Sequence, residues 1–427
     1  MSRLVVKGGR VIDPSQNIDR AADVAIEDGS VRDIGENIDA TGSEVFDASG
    51  LIVAPGFIDM HVHLREPGFE HSETIETGSR SAAAGGFTSI CCMPNTQPVN
   101  DNATVTHFIL ERARERAVVN VYPIGAITKN SAGEELAAIA SMKEAGIVAI
   151  SDDGKPVMNA RVIRRAMEFA RSSNLPVIQH CEDLHLSAGG DMHEGIQSTR
   201  LGLRGIPRAS EDVMVARDIL LAELTGARYH VAHISSRNAM QMVAFAKSKG
   251  LSVTAEATPH HFALTNNDMP PYDSNYKMKP PLRDESDVGA IVDGLANGTI
   301  DAIATDHAPH PGDEKMQEFE RCPFGILGFE TAIGLALERL YHSGRIGLAH
   351  MVSLFTENPA RILSLRRGTL KRGAAADLTI FGLEHEWTYD VARSPSKSRN
   401  SPFHGHKFRG GQVATIVRGQ IVWLLNG

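Results

Sequence analysis

The stretch that decides the fold reads Ala54-Pro55-Gly56-Phe57-Ile58-Asp59-Met60-His61-Val62-His63-Leu64-Arg65. It continues an apolar run, residues 51–53, and is typical of a buried strand. Side chains two residues apart on a strand point to the same side, so His61 and His63 can place two imidazoles at one point. Neutral imidazole is a common ligand of divalent metals. Arg65 continues the alternation, which predicts a cation beside this site. For this motif alone the alternative is that His61 and His63 are ordinary surface or core histidines that bind no metal.

Size and composition predict a folded protein with one large and one smaller domain. The chain has 427 residues, which is more than one ordinary domain contains. Its apolar fraction of 42% is that of a folded globular protein. No apolar stretch approaches the roughly 20 residues that cross a bilayer, and the first residues lack the apolar core of a signal peptide. We therefore expect a cytoplasmic protein without a membrane partner. The formal charge of −9 argues against a nucleic-acid partner.

The two ends of the chain, residues 1–52 and 366–427, have the pattern of short strands and tight turns. Asp28-Gly29 lies between apolar alternations and is a hairpin signal, and a similar turn occurs at Arg418-Gly419-Gln420. Each end is too small to bury its own core. The ends are therefore predicted to form one small β-sandwich domain together, because two separate β tails would leave sheet edges exposed.

Between them, residues 53–365 alternate strand-like with helix-like runs, which indicates repeated β/α units. Eight such units in about 250–300 residues predict an α/β fold of the (β/α)8 TIM-like barrel type, with a doubly wound open sheet as the alternative. The predicted strands are 51–59, 88–92, 118–124, 147–151, 176–180, 229–233, 252–256 and 302–306. The predicted helices are 72–84, 103–116, 134–144, 160–173, 210–225, 236–249, 286–296 and 331–342.

Side chains that bind metals follow several predicted strands at the same end. In such a barrel the chemistry lies at the carboxyl ends of the strands. The residues found there are His61, His63, Asn95, Asp152, Asp153, His180, His233, Asp306, His307 and His310. Their convergence predicts one shared metal site rather than separate buried polar residues.

Seven motifs follow one another along the predicted barrel. They are Pro55-Gly56-Phe57-Ile58-Asp59-Met60-His61-Val62-His63-Leu64-Arg65-Glu66-Pro67-Gly68, Met93-Pro94-Asn95-Thr96, Ser151-Asp152-Asp153-Gly154, His180-Cys181-Glu182-Asp183, His233-Ile234-Ser235, Ala304-Thr305-Asp306-His307-Ala308-Pro309-His310 and Pro323-Phe324-Gly325-Ile326. In this order they resemble the amidohydrolase superfamily and, more narrowly, the class I dihydroorotases.

The resemblance implies a zinc-dependent, reversible cyclisation of N-carbamoyl-L-aspartate to L-dihydroorotate, a step of de novo pyrimidine (UMP) biosynthesis. It implies two Zn²⁺ ions per chain. The implied ligands are His61, His63 and Asp306 for one ion, His180 and His233 for the other, and Asp153 as the bridge. Many superfamily members use a carboxylated lysine as the bridge, but Lys155 lies between Gly154 and Pro156 and is expected in a loop.

Further roles come from the same resemblance. Asp306 is expected to take a proton from the attacking water and deliver it to the ring nitrogen, with a purely ligating Asp306 as the alternative. The implied substrate-binding residues are His63, Arg65, Asn95, Lys279, His310, Phe324 and Gly325. Lys279 departs from the family, which usually has asparagine there; an ammonium offers donors but no acceptor. Residues 311–321 are expected to form a loop over the site or a solvated loop, and residues 394–401 a solvated surface.

Two other functions remain open at this point. One is a different cyclic amidohydrolase, such as a hydantoinase, dihydropyrimidinase or allantoinase, for which a carboxylate-binding Arg65 and Asn95 have less purpose. The other is a non-catalytic dihydroorotase-like partner of aspartate transcarbamoylase, against which the complete ligand set argues. The superfamily further suggests a homo-oligomer, most simply a dimer, and an association with aspartate transcarbamoylase.

Overall fold

The computed structural model describes residues 3–425. Its strands are β1 (Arg3–Asp13), β2 (Ile18–Glu27), β3 (Ser30–Gly35), β4 (Glu44–Asp47), β5 (Ile52–Pro55), β6 (Phe57–Val62), β7 (Phe87–Cys92), β8 (Asn120–Pro123), β9 (Val177–Gln179), β10 (Met192–His193), β11 (Gly205–Ile206), β12 (Tyr229–Val231), β13 (Val253–Ala257), β14 (Ala302–Ile303), β15 (Leu378–Thr388), β16 (Lys407–Val417) and β17 (Gln420–Leu424). Its α-helices are α1 (Ile75–Ala84), α2 (Ala103–Arg116), α3 (Ile139–Ala145), α4 (Ala160–Ser172), α5 (Ile196–Leu201), α6 (Ala209–Thr225), α7 (Arg237–Ser248), α8 (Pro259–Ala263), α9 (Glu285–Ala296), α10 (Gly312–Lys315), α11 (Ala332–Ala336), α12 (Leu348–Phe355) and α13 (Glu357–Leu363). Within residues 3–425, no helix has both the length and the apolar character needed to span a bilayer.

One mixed sheet joins the two ends of the chain in the order β17-β16-β15-β5-β1-β2-β3, with β4 also paired to β1. The join is β5, because Val53 pairs with Val11 on one side and with Ile380 on the other. Apolar residues from both ends share a single core beneath this sheet. The prediction that the ends build one β-domain is therefore confirmed. The division at 52/53 and 365/366 stays a prediction, and β5 crosses the first of these boundaries.

The prediction of one strand over 51–59 is wrong, because β5 and β6 belong to different sheets. Gly56 separates them, and its backbone N donates to Asp377 O at 2.7 Å. A Cβ at Gly56 would lie 2.0 Å from Thr88 Oγ1, so the chain passes too close for any side chain. Both strands are buried on both faces, and hydrophobicity alone therefore contains no signal of the break.

The barrel closes through eight parallel positions. Strands β6, β7 and β8 pair in order, as do β9, β12, β13 and β14. Ile150 joins the two groups through bridges to Gly125 and Val177, so the strand predicted over 147–151 is reduced to a single bridging residue. The ring closes where Val62 pairs with His307. This closure confirms the barrel and excludes the open sheet.

Two predicted helices differ from the structure. The helix predicted over 134–144 begins only at Ile139, because Leu136 forms an antiparallel bridge with Thr128 and keeps the preceding residues extended. The helix predicted over 331–342 is α11 followed by a π-helical stretch, Leu337–Tyr341.

The prediction that residues 394–401 form a solvated surface is also wrong. This serine segment lies between β15 and β16, and its residues Ser394, Ser396, Ser398, Asn400 and Ser401 are buried. The hydroxyl of Ser394 donates to the half-buried carboxylate of Glu330, and that of Ser396 donates to the buried carboxylate of Glu73. Polar residues are thus satisfied inside the protein, as buried hydrogen-bonding groups must be.

The fold predicts acid lability from buried neutral histidines. Burial and the charges of Arg283 and Arg208 lower the pKa of His193 to about 4, and burial lowers that of His261 to about 4. The stability that each neutral histidine contributes is complete above pH 6.5, which is the ordinary pKa of histidine. It is lost as the pH falls toward 4, because the unfolded chain binds the proton at a higher pH than the folded protein does. His193→Gln keeps an acceptor for Arg283 and should recover about 2 kcal/mol of the loss at pH near 5. Thermal melts of the wild type and the variant from about pH 7 to about pH 5 check this. If the melting temperatures of the two proteins fall equally with pH, the prediction is wrong.

Candidate active site

The barrel mouth brings four predicted histidine ligands around one carboxylate. His61 Nε2 lies 3.3 Å from Asp153 Oδ1, and His63 Nε2 lies 3.4 Å from Asp153 Oδ2. His180 Nδ1 and His233 Nε2 lie 3.8 and 3.7 Å from Asp153 Oδ1. All five side chains are buried. Asp153 therefore stands between the two pairs of imidazoles, where a bridging carboxylate would have to be.

Asp306 completes the cluster from the end of β14. Its Oδ1 lies 2.9 Å from His63 Nε2 and 3.5 Å from His61 Nε2. Asp306 and His233 have φ values of 50° and 31°, in the left-handed region that non-glycine residues seldom occupy. Such backbone conformations concentrate at functional sites.

The residues present fit a metal. His61 Nε2 and Asp153 Oδ1 are buried, yet neither has a hydrogen-bond partner among the described residues. The cluster forms three overlapping groups whose ligand atoms lie within 4.8 Å of one another. They are His61, His63 and Asp153; Asp153, His180 and His233; and His61, His233 and Asp306. Imidazole nitrogens with carboxylate oxygens are a donor set that suits a divalent transition metal.

A cavity of about 370 Å³ opens over this cluster. All of the predicted substrate-binding residues line it, namely His63, Arg65, Asn95, Lys279, His310, Phe324 and Gly325. The sequence therefore identified the residues of the mouth, although their contacts with a substrate stay predictions.

Arg65 reaches the cavity from a turn and not, as the alternation suggested, from the strand. β6 ends at Val62, and Arg65 has φ 63°. Its Nε donates to Pro309 O at 3.2 Å, and its Nη2 lies 3.1 Å from His310 Nε2. Burial and the charge of Arg65 lower the pKa of His310 to about 2, so this imidazole is neutral.

The comparisons with known proteins fit this site. A family model described as dihydro-orotase-like matches residues 50–239. A dihydroorotase from Solibacter usitatus (strain Ellin6076) is 69% identical over 420 residues, which cover 98% of each chain. The chain belongs to the dihydroorotase family. A second dihydroorotase, from Citrifermentans bemidjiense, is 54% identical over 98% of this chain and 99% of its own.

A solved structure shares the fold of this dihydroorotase-family chain over its whole length. The L-hydantoinase (dihydropyrimidinase) from Arthrobacter aurescens superposes with a TM-score of 0.90 and 26% identity, covering 100% of this chain and 98% of that one. Dihydroorotases by sequence and hydantoinases by structure place the chain among the amidohydrolases. It is an enzyme that acts on the C–N bonds of cyclic amides, and its cofactor is a metal.

Sequence reasoning missed Glu182, which lies between a predicted ligand and a predicted substrate residue. His180 Nε2 lies 3.0 Å from Glu182 Oε2, and Lys279 Nζ donates to Glu182 Oε1 at 2.7 Å. Burial would raise the pKa of Glu182, but His180 and Lys279 outweigh it and hold the pKa below its ordinary value. The sequence feature that could have identified Glu182 is its position two residues after His180, because side chains two apart on an extended segment point to the same side. Lys279 also lies 4.6 Å from the ring centre of Phe324, and so faces the cavity.

Three further residues that could in principle bind or bridge a metal have other surroundings. The thiol of Cys181 lies 3.1 Å from the hydroxyl of Tyr229. Lys155 is exposed in a loop. His261 Nε2 lies 2.9 Å from Pro280 O.

Glu256, at the end of β13, was also missed, and it holds the ring of His61. Its Oε1 lies 2.7 Å from His61 Nδ1, and its Oε2 lies 3.3 Å from His230 Nε2. Burial would raise the pKa of Glu256, but His61 and His230 lower it to about 2. A carboxylate that accepts the second N–H of a ligand imidazole fixes its orientation and its basicity.

Glu256→Gln should weaken metal binding about 10- to 100-fold, because the amide keeps the shape but loses the charge behind His61. Metal titration of the stripped protein with a competing chelator measures the affinity. Asp377→Asn is the control, since Asp377 is a buried carboxylate in the terminal sheet that pairs with Arg367. Equal affinities in the two variants would contradict the role of Glu256.

Proposed function

We propose that the protein catalyses the reversible cyclisation of N-carbamoyl-L-aspartate to L-dihydroorotate in de novo pyrimidine synthesis. The observation that carries this proposal is that Arg65 and Asn95 line the same cavity as the metal-type cluster. A guanidinium beside that cluster suits a ring substrate that bears a carboxylate. The near full-length similarity to dihydroorotases supports the same reaction.

The proposed cofactor is a pair of Zn²⁺ ions. His61, His63 and Asp306 would hold one, His180 and His233 the other, and Asp153 both. The three overlapping ligand groups and the unpartnered His61 Nε2 and Asp153 Oδ1 support this. Bound there, the metal would lower the pKa of a water and polarise the substrate carbonyl.

Asp306 is the proposed acid/base. Burial would raise its pKa, but the neighbouring His61 and His63 outweigh burial and hold the pKa below its ordinary value. It is therefore a carboxylate at neutral pH, able to accept the proton of the attacking water. Delivering that proton to the departing ring nitrogen completes ring opening, and the reverse order serves ring closure.

The substrate carboxylate is proposed to bind Arg65 and Asn95. Arg65 can donate two parallel hydrogen bonds, and the Asn95 amide can add donors. His63 Nδ1 lies 2.9 Å from Asn95 Oδ1, which leaves the amide nitrogen of Asn95 free to turn toward the cavity. Lys279 adds positive charge at the rim, already balanced by Glu182.

The partner that follows from the family is a small-molecule substrate. We also propose a homodimer, an association with aspartate transcarbamoylase and a cytoplasmic location. The first two rest on what other members of the superfamily do, and the third rests on the sequence.

Ring-opening assays test the proposed function, and the variant Arg65→Gln tests whether Arg65 binds the substrate carboxylate. The purified protein should open L-dihydroorotate in preference to hydantoin and allantoin. Arg65→Gln should raise KM for dihydroorotate about 10- to 100-fold, the cost of losing charged hydrogen bonds, and leave any activity on the two rings without this carboxylate unchanged. Arg80→Gln, an exposed position on α1, is the control. Preference for hydantoin or allantoin would favour the alternative amidohydrolases.

A further inference from the structure

The serine segment, residues 394–401, reaches from the terminal sheet to the barrel mouth. At its end lies Asn400, whose side chain is 3% exposed. Its backbone O accepts a hydrogen bond from Leu327 N at 2.8 Å. A residue far along the chain thus lies directly behind the loops that line the cavity.

The side chain of Asn400 links two of these loops. Its Nδ2 donates to Ala308 O at 2.9 Å and to Gly325 O at 3.0 Å. Its Oδ1 accepts from His310 N at 3.1 Å. Both amide hydrogens and the amide oxygen are used, which among side chains of this size only asparagine can provide.

These loops need such a link because they meet at very short range. Gly325 has φ 134°, and a Cβ there would lie 2.7 Å from the Cβ of Ala308. The other hydrogen bond to Gly325 O comes from the buried Lys315 Nζ, at 3.2 Å. Lys315 also donates to Pro323 O at 3.0 Å, so residues 311–321 support the same loop.

We propose that Asn400 is a positioning residue for the substrate: through the backbone of Ala308, His310 and Gly325 it sets where His310 and Phe324 stand in the cavity. The inference rests on the proposed function, because it assigns these loops to substrate binding. It makes the terminal β-domain a contributor to the active site. Asn400 touches neither the ligand cluster nor the cavity, so it acts on binding and not on the metal.

The test compares Asn400→Leu with Ser398→Ala. Leucine has the same number of side-chain heavy atoms and the same branch point, and it removes all three side-chain hydrogen bonds. Ser398→Ala removes one buried hydrogen bond of the same segment, to Ser72 O, away from the loops. Asn400→Leu should raise KM for dihydroorotate about tenfold or more, as small displacements of binding groups do, with kcat and metal content nearly unchanged. Ser398→Ala should leave KM unchanged.

Hydrogen exchange followed by mass spectrometry adds a readout that needs no substrate. Asn400→Leu should speed exchange in residues 308–310 and 323–327, and Ser398→Ala should not. If Asn400→Leu does not fold, Asn400→Asp keeps the acceptor for His310 N and loses the donors, and the same two changes are expected. Unchanged KM and unchanged exchange overturn the proposal. A wild-type protein inactive on dihydroorotate would refute the proposed function, and exchange would then decide whether Asn400 positions the loops.

Discussion

Asp306→Asn should lower kcat for the opening of L-dihydroorotate by about 10³-fold, within the range that a positioned acid/base contributes. Asparagine matches the shape of aspartate but cannot accept and return a proton. Asp306 Oδ1 is also 2.9 Å from His63 Nε2, so the substitution can disturb the cluster. Metal content must therefore be measured with kcat, by elemental analysis of the same samples.

The two roles of Asp306 predict different results. If it moves the proton, kcat stays low in a variant that is fully loaded with metal. If it only ligates, excess zinc restores activity, and the acid/base assignment is wrong. Asp301→Asn is the control, because Asp301 precedes β14, whereas Asp306 follows it, and Asp301 pairs with Lys247 of α7; this variant should keep kcat.

Asp153→Asn should reduce the bound metal from the proposed two ions per chain to one or fewer. Activity should fall at least about 10³-fold, because a bound metal would activate the attacking water. The carboxylate faces four imidazoles. Burial would raise its pKa, but His61 and His233 outweigh burial and hold the pKa far below its ordinary value. A neutral amide removes the negative charge that lies between the two histidine pairs.

Asp152→Asn is the matched control for Asp153. Asp152 is its buried neighbour, but its Oδ1 accepts from the backbone N of Ile127 and Thr128 at 2.8 and 3.0 Å. This variant should lose stability and keep its metal. Native mass spectrometry and elemental analysis give the stoichiometry. A wild-type protein with one ion per chain would remove the bridging role of Asp153.

The sequence predicted the barrel and the residues that gather at its mouth because both depend on local patterns. Hydrophobic period distinguishes strands from helices, and the carboxyl ends of parallel strands must meet at one mouth. The contacts it could not predict are those between distant segments. In the sequence Glu256 resembles any other strand residue, and only the structure shows its contact with His61. The serine segment likewise has the composition of a surface loop, and only the structure shows that Glu73 and Glu330 accept hydrogen bonds from its hydroxyls.

The seam that closes the barrel has a consequence for biosynthesis. Asp306 N donates to His61 O at 3.0 Å, and His63 N donates to His307 O at 2.9 Å, so the first and last strands of the ring meet at the proposed metal ligands. A growing chain on the ribosome carries the first two histidines long before their partners emerge. On the proposed assignment, the full set of ligands therefore comes together only when the eighth strand docks against the first.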